Sequence, residues 1–200
     1  VTTYSKLLDW NGRTAVILAS GPSMASTVPT RSSEHRYIVT NTTFRLVPWA
    51  DVVYGCDFLW WKTHAAEVKR VAPEMMCWTQ DKASAERYGV NLVRNEALPG
   101  SSLTGLRVNG NSGAGAINLA VLFGARKIIL LGFDMREGPS GEKHWHADHP
   151  SPCVQKQLFG EWIFKYEAVA KDLKALGVEV VNATPRSALK CFPVSEEVAC

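Results

Sequence analysis

Residues 110–134 read Gly110-Asn-Ser-Gly-Ala-Gly-Ala-Ile-Asn-Leu-Ala-Val-Leu-Phe-Gly-Ala-Arg-Lys-Ile-Ile-Leu-Leu-Gly-Phe-Asp134. This is a Gly-rich turn, a helix with apolar residues on most faces, and a short apolar strand ending in an acid. A helix of that kind is wedged against a sheet, and a run such as 127–131 suits a strand buried on both faces. Gly124 supplies the stop between the two. Residues 14–20, Thr-Ala-Val-Ile-Leu-Ala-Ser, followed by Gly21-Pro22-Ser23, repeat the pattern of a buried strand discharging into a tight turn. Two such strand ends predict a ligand crevice at the carboxyl edge of an α/β sheet.

Working outward, the remaining chain alternates in the same way. Strands are expected at 14–20, 36–41, 51–57, 74–79, 91–94, 127–134 and 178–182, and helices at 59–71, 82–88, 114–123 and 154–176. The last helix carries Leu158, Trp162, Ile163, Tyr166, Val169, Ala170, Leu173 and Leu176, close to the spacing of a core-facing stripe, and Gly177 ends it. Alternation with short connections predicts a single Rossmann-like α/β domain over 1–200: a mostly parallel sheet with helices on both faces. Two long irregular stretches, 96–111 and 136–152, are of a length that compact domains usually reserve for function.

Composition narrows the classes. With 200 residues and 46% apolar content the chain buries a full core as one domain. A net charge of +3 is far from the dense basic stripe of a dedicated nucleic-acid binder. No apolar run is long enough to span a membrane and no leader pattern opens the chain, so a soluble, cytoplasmic protein is expected. The five cysteines, Cys56, Cys77, Cys153, Cys191 and Cys200, are scattered and never spaced Cys-x-x-Cys, which predicts reduced thiols.

Residues 144–150 read His-Trp-His-Ala-Asp-His-Pro, three of five histidines within a short loop. His-x-His-x-Asp-His is a metal signature of the metallo-β-lactamase fold, but that cage needs further ligands downstream and no histidine follows His149. A single zinc on two or three of these groups is one reading, a solvated capping loop another. Acid/base catalysis is the preferred use, since imidazole titrates near neutrality. No metal site is assigned.

Taken together, Ile17-Leu-Ala-Ser-Gly21-Pro22-Ser23, Val39-Thr-Asn41, Asn111-Ser112-Gly113, Leu131-Gly-Phe-Asp134, His146-x-x-His149 and Asn182-Ala-Thr-Pro185-x-Ser187-x-Leu189 resemble the bacterial lipooligosaccharide sialyltransferases. They also resemble the wider Rossmann-like group that includes an archaeal 6-hydroxymethylpterin pyrophosphokinase, and small bacteriophage proteins of that type. The resemblance implies a nucleotide or nucleotide-sugar ligand, a CMP-sugar first, with no cofactor required. It implies that Gly21, Pro22, Ser23, Asn41, Asn111, Ser112, Gly113 and Asp134 bind that ligand, with backbone N–H groups and the Ser23 hydroxyl near phosphate or ribose. His149 is expected as general base, with His146 beside it and Ser187 and the Ser112 turn steadying the departing phosphate. The chain departs from the sialyltransferases in lacking their C-terminal membrane-associated tail and a certain match for the tyrosines that assist the leaving group. No GxGxxG is formed, because position 118 is Asn.

The rival enzyme reading uses the strand-end acids Asp57 and Asp134 to hold Mg²⁺ against ATP in phosphoryl or pyrophosphoryl transfer. A third reading is a nucleotide-binding or virion-associated module without chemistry. Trp49, Trp60, Trp61 and Trp78 are candidate walls for an acceptor, a saccharide or small molecule, with at least one of the adjacent pair 60–61 expected in the core. A phage origin would place the protein in the host cytoplasm and add a DNA base as an acceptor, which the composition does not favour. Homo-oligomerisation is an expectation of the resemblance alone.

Overall fold

The computed structural model describes residues 3–98, 100–147 and 158–195. Seven strands form one all-parallel sheet: β1 (Thr14–Leu18), β2 (His35–Thr40), β3 (Val52–Tyr54), β4 (Met76–Thr79), β5 (Asn91–Leu92), β6 (Lys127–Leu131) and β7 (Glu179–Asn182). Four helices complete it: α1 (Phe58–Val71), α2 (Lys82–Tyr88), α3 (Ser112–Leu122) and α4 (Phe159–Ala175). The spatial order is β5-β4-β3-β2-β1-β6-β7. This is the Rossmann-like α/β architecture expected, with all seven strands in their expected places.

Alternation along the strands builds two cores. Ala15 and Ile17 of β1, Ile38 of β2 and Ile128 and Leu130 of β6 join α3 and α4 residues such as Ile117, Leu119, Tyr166 and Val169 on one face. Val16, Leu18, Tyr37, Val39 and Leu131 meet Met24, Phe44, Trp60, Trp61 and Val68 on the other. Period-2 side-chain direction and burial on both faces are why these strands read as continuous apolar runs. The segment after β1 and the turn after β2 lie on the α1 side, whereas α3 and α4 lie on the opposite face. Adjacent β1 and β6 therefore send their chains to opposite sides, which opens a crevice at their carboxyl ends.

Several boundaries differ from expectation for local reasons. β6 stops at Leu131, short of Asp134, because Gly132 adopts a left-handed φ of 73° and turns the chain. β3 stops at Tyr54, and Asp57 instead caps α1 by accepting from the Trp60 N–H at 3.0 Å. α3 starts at Ser112 because Asn111 caps it, its Oδ1 accepting from the N–H groups of Gly113 and Ala114. α4 starts at Phe159; the expected residues 154–157 lie outside those described. No helix among the described residues is long and apolar enough to cross a membrane.

One polar residue holds the long 96–111 connection. Asn118 is fully buried in α3, where its Oδ1 accepts from the N–H groups of Ser102 (3.2 Å) and Arg107 (3.0 Å) and its Nδ2 donates to the Ser102 carbonyl (2.7 Å). An apolar residue there leaves these backbone groups buried without partners. Asn118→Leu is expected to lower the unfolding free energy by about 2–4 kcal/mol in urea denaturation.

Candidate functional site

A pocket of about 170 Å³ opens at the carboxyl edge of the sheet, where the β1 and β6 chains diverge. Its floor is Ala19, Ser20, Gly21 and Pro22 after β1, Thr40 and Asn41 after β2, and Gly132, Asp134 and Met135 after β6. One side is built by Cys56, Asp57 and Trp60, and by the α3 entry, Gly110 to Gly113. Arg136, Lys143 and His144 from the connection after β6, with Phe159 and Trp162 from the first turn of α4, complete the wall.

The floor is held by a tie between the two central strands. Ser23 donates to Asp134 twice, from its backbone N–H to Oδ1 (3.1 Å) and from Oγ to Oδ2 (2.8 Å), while the Gly21 N–H donates to the Gly132 carbonyl (2.9 Å). Contact this close excludes any side chain at Gly21: a Cβ there would lie 2.0 Å from Asp134 Oδ2 and 2.4 Å from the Gly132 carbonyl. Gly21 is thus needed for close approach, since its φ of −64° is open to any residue. Burial pushes the Asp134 carboxyl above its ordinary range, against the pull of the Ser23 donors and the Arg136 charge.

Asn41 sits on the floor with a left-handed φ of 49°, which is uncommon for a residue other than glycine, and Met135 repeats this at 50°. The Asn41 amide donates to Ser112 Oγ (3.4 Å), and its buried Oδ1 accepts nothing from a described residue. A buried acceptor without a partner on a pocket-lining residue is open to a donor from a ligand. Cys56 contacts Ser112 Oγ at 3.1 Å, and burial raises its thiol to about 12, so it is a neutral thiol and no nucleophile at physiological pH.

Of the residues singled out from the sequence, Gly21, Pro22, Asn41, Asn111, Ser112, Gly113 and Asp134 all line this pocket. Ser23 departs from expectation: its N–H and its hydroxyl proton are both donated to Asp134, so neither donor is available to a phosphate. Ser187 departs further. It is buried, its Oγ donates to the Phe133 carbonyl at 2.5 Å and accepts from the Leu189 N–H at 3.0 Å. With Thr184 Oγ1, which accepts from the Phe133 N–H (2.9 Å), it fastens the turn that carries Asp134. Its position is a buttress behind the pocket and not a contact to a leaving group.

The His-Trp-His segment is docked. The Trp145 N–H donates to the Ser20 carbonyl (3.1 Å), its indole N–H to Thr43 Oγ1 (3.2 Å), and His146 Nε2 lies 2.7 Å from Thr42 Oγ1. His146 Nδ1 faces the Ala147 carbonyl, so Nδ1 carries a proton and neutral Nε2 accepts from Thr42. His146 is turned into this contact, and His144, stacked on it at 5.1 Å, is the histidine on the pocket wall. His149 and Asp148 lie outside the described residues.

Trp61 and Trp78 are core residues, and Trp49 packs edge-on to Tyr37. Trp60 reaches the pocket wall. Sequence reasoning missed Phe159 and Trp162, because Trp162 fits the core stripe of α4, and missed Arg136 and Lys143 because nothing local distinguishes them from other loop cations. Of the metal-ligating side chains on the lining, Cys56, Asp57, Asp134 and His144, the two carboxylates are already engaged, and among the described residues no three His, Cys, Asp or Glu form a metal-binding group. The chain matches no protein-family model, no curated protein and no solved structure.

Two outcomes follow. Ser187→Ala removes partners from two buried backbone groups and is expected to cost about 1–3 kcal/mol of stability in chemical denaturation; a hydroxyl acting only on a departing phosphate would leave stability unchanged. Burial holds the imidazoles of His146 and His64 below 6.5, while the unfolded groups titrate near it. Their contribution is therefore complete above that value and lost as pH falls from it through the folded-state values. Denaturation at about pH 7.5 and about pH 5 should show this acid loss, and His146→Gln should reduce it, with His64 supplying the remainder.

Proposed function

We propose that the protein is a transferase that binds a nucleotide or nucleotide-activated sugar in the crevice between β1 and β6. The observation carrying this reading is the convergence of Gly21, Pro22, Asn41 and Asp134 from three strand ends, and of Asn111, Ser112 and Gly113 from the α3 entry, onto one pocket. Crevices of open α/β sheets at the point of strand reversal are where such ligands bind. The unsatisfied Asn41 Oδ1 suits a donor such as a ribose hydroxyl or an exocyclic amine, and Phe159 and Trp162 on the lining are aromatic side chains of the kind that pack against a base or sugar.

Within that class the reading is glycosyl transfer from a CMP-sugar without a required metal. His149 would take the proton of an acceptor hydroxyl as the hydroxyl attacks the anomeric carbon, and the nucleotide would leave with the bond electrons. Support comes from the chain leading to His149, whose residues Lys143 and His144 line the pocket. The presence of Asp57 and Asp134 in the same pocket supports the second reading, Mg²⁺-dependent transfer from ATP.

The test is a thermal-shift and calorimetric comparison of CMP, CDP, UDP, GDP and ATP, each with and without Mg²⁺. CMP should raise the melting temperature without metal, and Asn41→Ala should weaken that effect. His149→Ala should retain CMP binding and lose about 10²–10⁴-fold in transfer rate. Stabilisation by ATP with Mg²⁺ alone would move the assignment to phosphoryl transfer, and no response to any nucleotide would remove both.

A further inference from the structure

A nucleotide's phosphate needs donors or positive charge, and the turns that supply backbone amides in many phosphate sites are already engaged. The Gly21 N–H donates to the Gly132 carbonyl, the Ser23 N–H to Asp134 and the Met24 N–H to the Gly21 carbonyl; Pro22 has none. At the entry to α3, the N–H groups of Gly113 and Ala114 donate to Asn111 Oδ1, which also accepts from the Tyr166 hydroxyl at 2.9 Å. The donors of the Gly21-Pro22-Ser23 turn and two of those at the α3 entry therefore face inward, while the Ser112 N–H donates to no described residue.

The opposite wall differs. Arg136 and Lys143 both line the pocket and both are exposed, and neither makes a hydrogen bond or ion pair with a described residue. Of the acids around them most are engaged elsewhere, whereas the exposed Glu137, next to Arg136 in the chain, pairs with no described residue. Both oxygens of Asp134 accept from Ser23, Asp57 caps α1, and Glu142, next to Lys143 in the chain, accepts from the Ser140 N–H at 2.7 Å. Two cations of different geometry that line one pocket without a hydrogen bond to a described residue suit a phosphate or diphosphate, the guanidinium as a planar fork and the ammonium as a point charge.

We propose that Arg136 and Lys143 form an anion clamp that holds the phosphate or diphosphate of the pocket's ligand through side chains, in place of the Gly21-Pro22-Ser23 turn. The assignment deepens the nucleotide reading and rests on it for the remainder of the ligand. It also orients that ligand. The phosphate lies toward the connection after β6, leaving the Asn41 and Ser112 side of the pocket to uncharged hydroxyl and amine groups.

Calorimetry with CMP, cytidine and inorganic pyrophosphate tests the clamp on the wild-type protein, Arg136→Gln, Lys143→Gln and the double variant. Both positions are exposed, and melting temperatures check that each variant is folded. CMP should bind more tightly than cytidine. Each substitution should weaken CMP and pyrophosphate about tenfold while leaving cytidine unchanged, and added salt should narrow the gap between CMP and cytidine. Unchanged CMP and pyrophosphate binding in the double variant would overturn the clamp and leave the nucleotide reading standing. Pyrophosphate binding that is lost in the double variant, with no preference for CMP over pyrophosphate, would uphold the clamp and remove the nucleotide reading. If neither probe binds the wild-type protein, both fall.

Discussion

Asp134 accepting two hydrogen bonds from Ser23 is the contact on which the carboxyl edge of this sheet depends. β1 and β6 are register-matched neighbours, Thr14 opposite Lys127 through Leu18 opposite Leu131, yet their chains leave toward opposite faces. Backbone bonds from Ala19 to Leu131 and from Gly21 to Gly132 carry the pairing past the strand ends, and a side-chain link continues it. The carboxylate supplies that link across residues 111 positions apart in the chain, and it requires Gly21, since any Cβ there would overlap it. The link is braced from behind: Thr184 and Ser187 hold Phe133, and the Ala188 N–H donates to the Asp134 carbonyl at 2.9 Å. A motif at the far end of the sequence thus sets the geometry of a turn in the middle.

The fold was legible because burial on both faces leaves a strong imprint. Seven short apolar runs separated by turn residues and helical stripes are hard to read as anything but a parallel sheet. Strand ends were less legible, since a run such as 127–134 stays apolar past the point where Gly132 turns the chain. The site was legible in part for the same reason: residues in strand-end turns of an α/β sheet gather at one edge, and Gly21, Asn41 and Asp134 did so. Direction was not legible. Whether Ser23 and Ser187 present their hydroxyls to a ligand or to the protein depends on partners 111 and 54 positions away, and both turned inward. Phe159 and Trp162 were hidden by a different ambiguity, because a helix stripe that packs on a core also forms a pocket wall where that core ends.

The pocket therefore divides into a floor and a wall with different physical characters. On the floor, hydrogen bonds close on the protein itself, from Gly21 to Gly132, Ser23 to Asp134 and Gly113 to Asn111. Such groups are satisfied without ligand, so the floor keeps its shape and loses nothing when empty. The strained Asn41 and its open acceptor are the exception, and they stand at the floor's edge.

The wall after β6 is held differently. Its attachment runs through Trp145 and His146 to Ser20, Thr42 and Thr43, three side chains or carbonyls in the turns after β1 and β2. Lys143 and His144 are thereby brought to the pocket by a docked segment and not by the sheet. Charge placed on such a segment can be changed without disturbing the Ser23–Asp134 tie, whereas a change in the floor disturbs both. A rigid floor of self-satisfied turns consequently leaves discrimination among ligands to the residues of the docked wall, where side chains with open donors face the crevice.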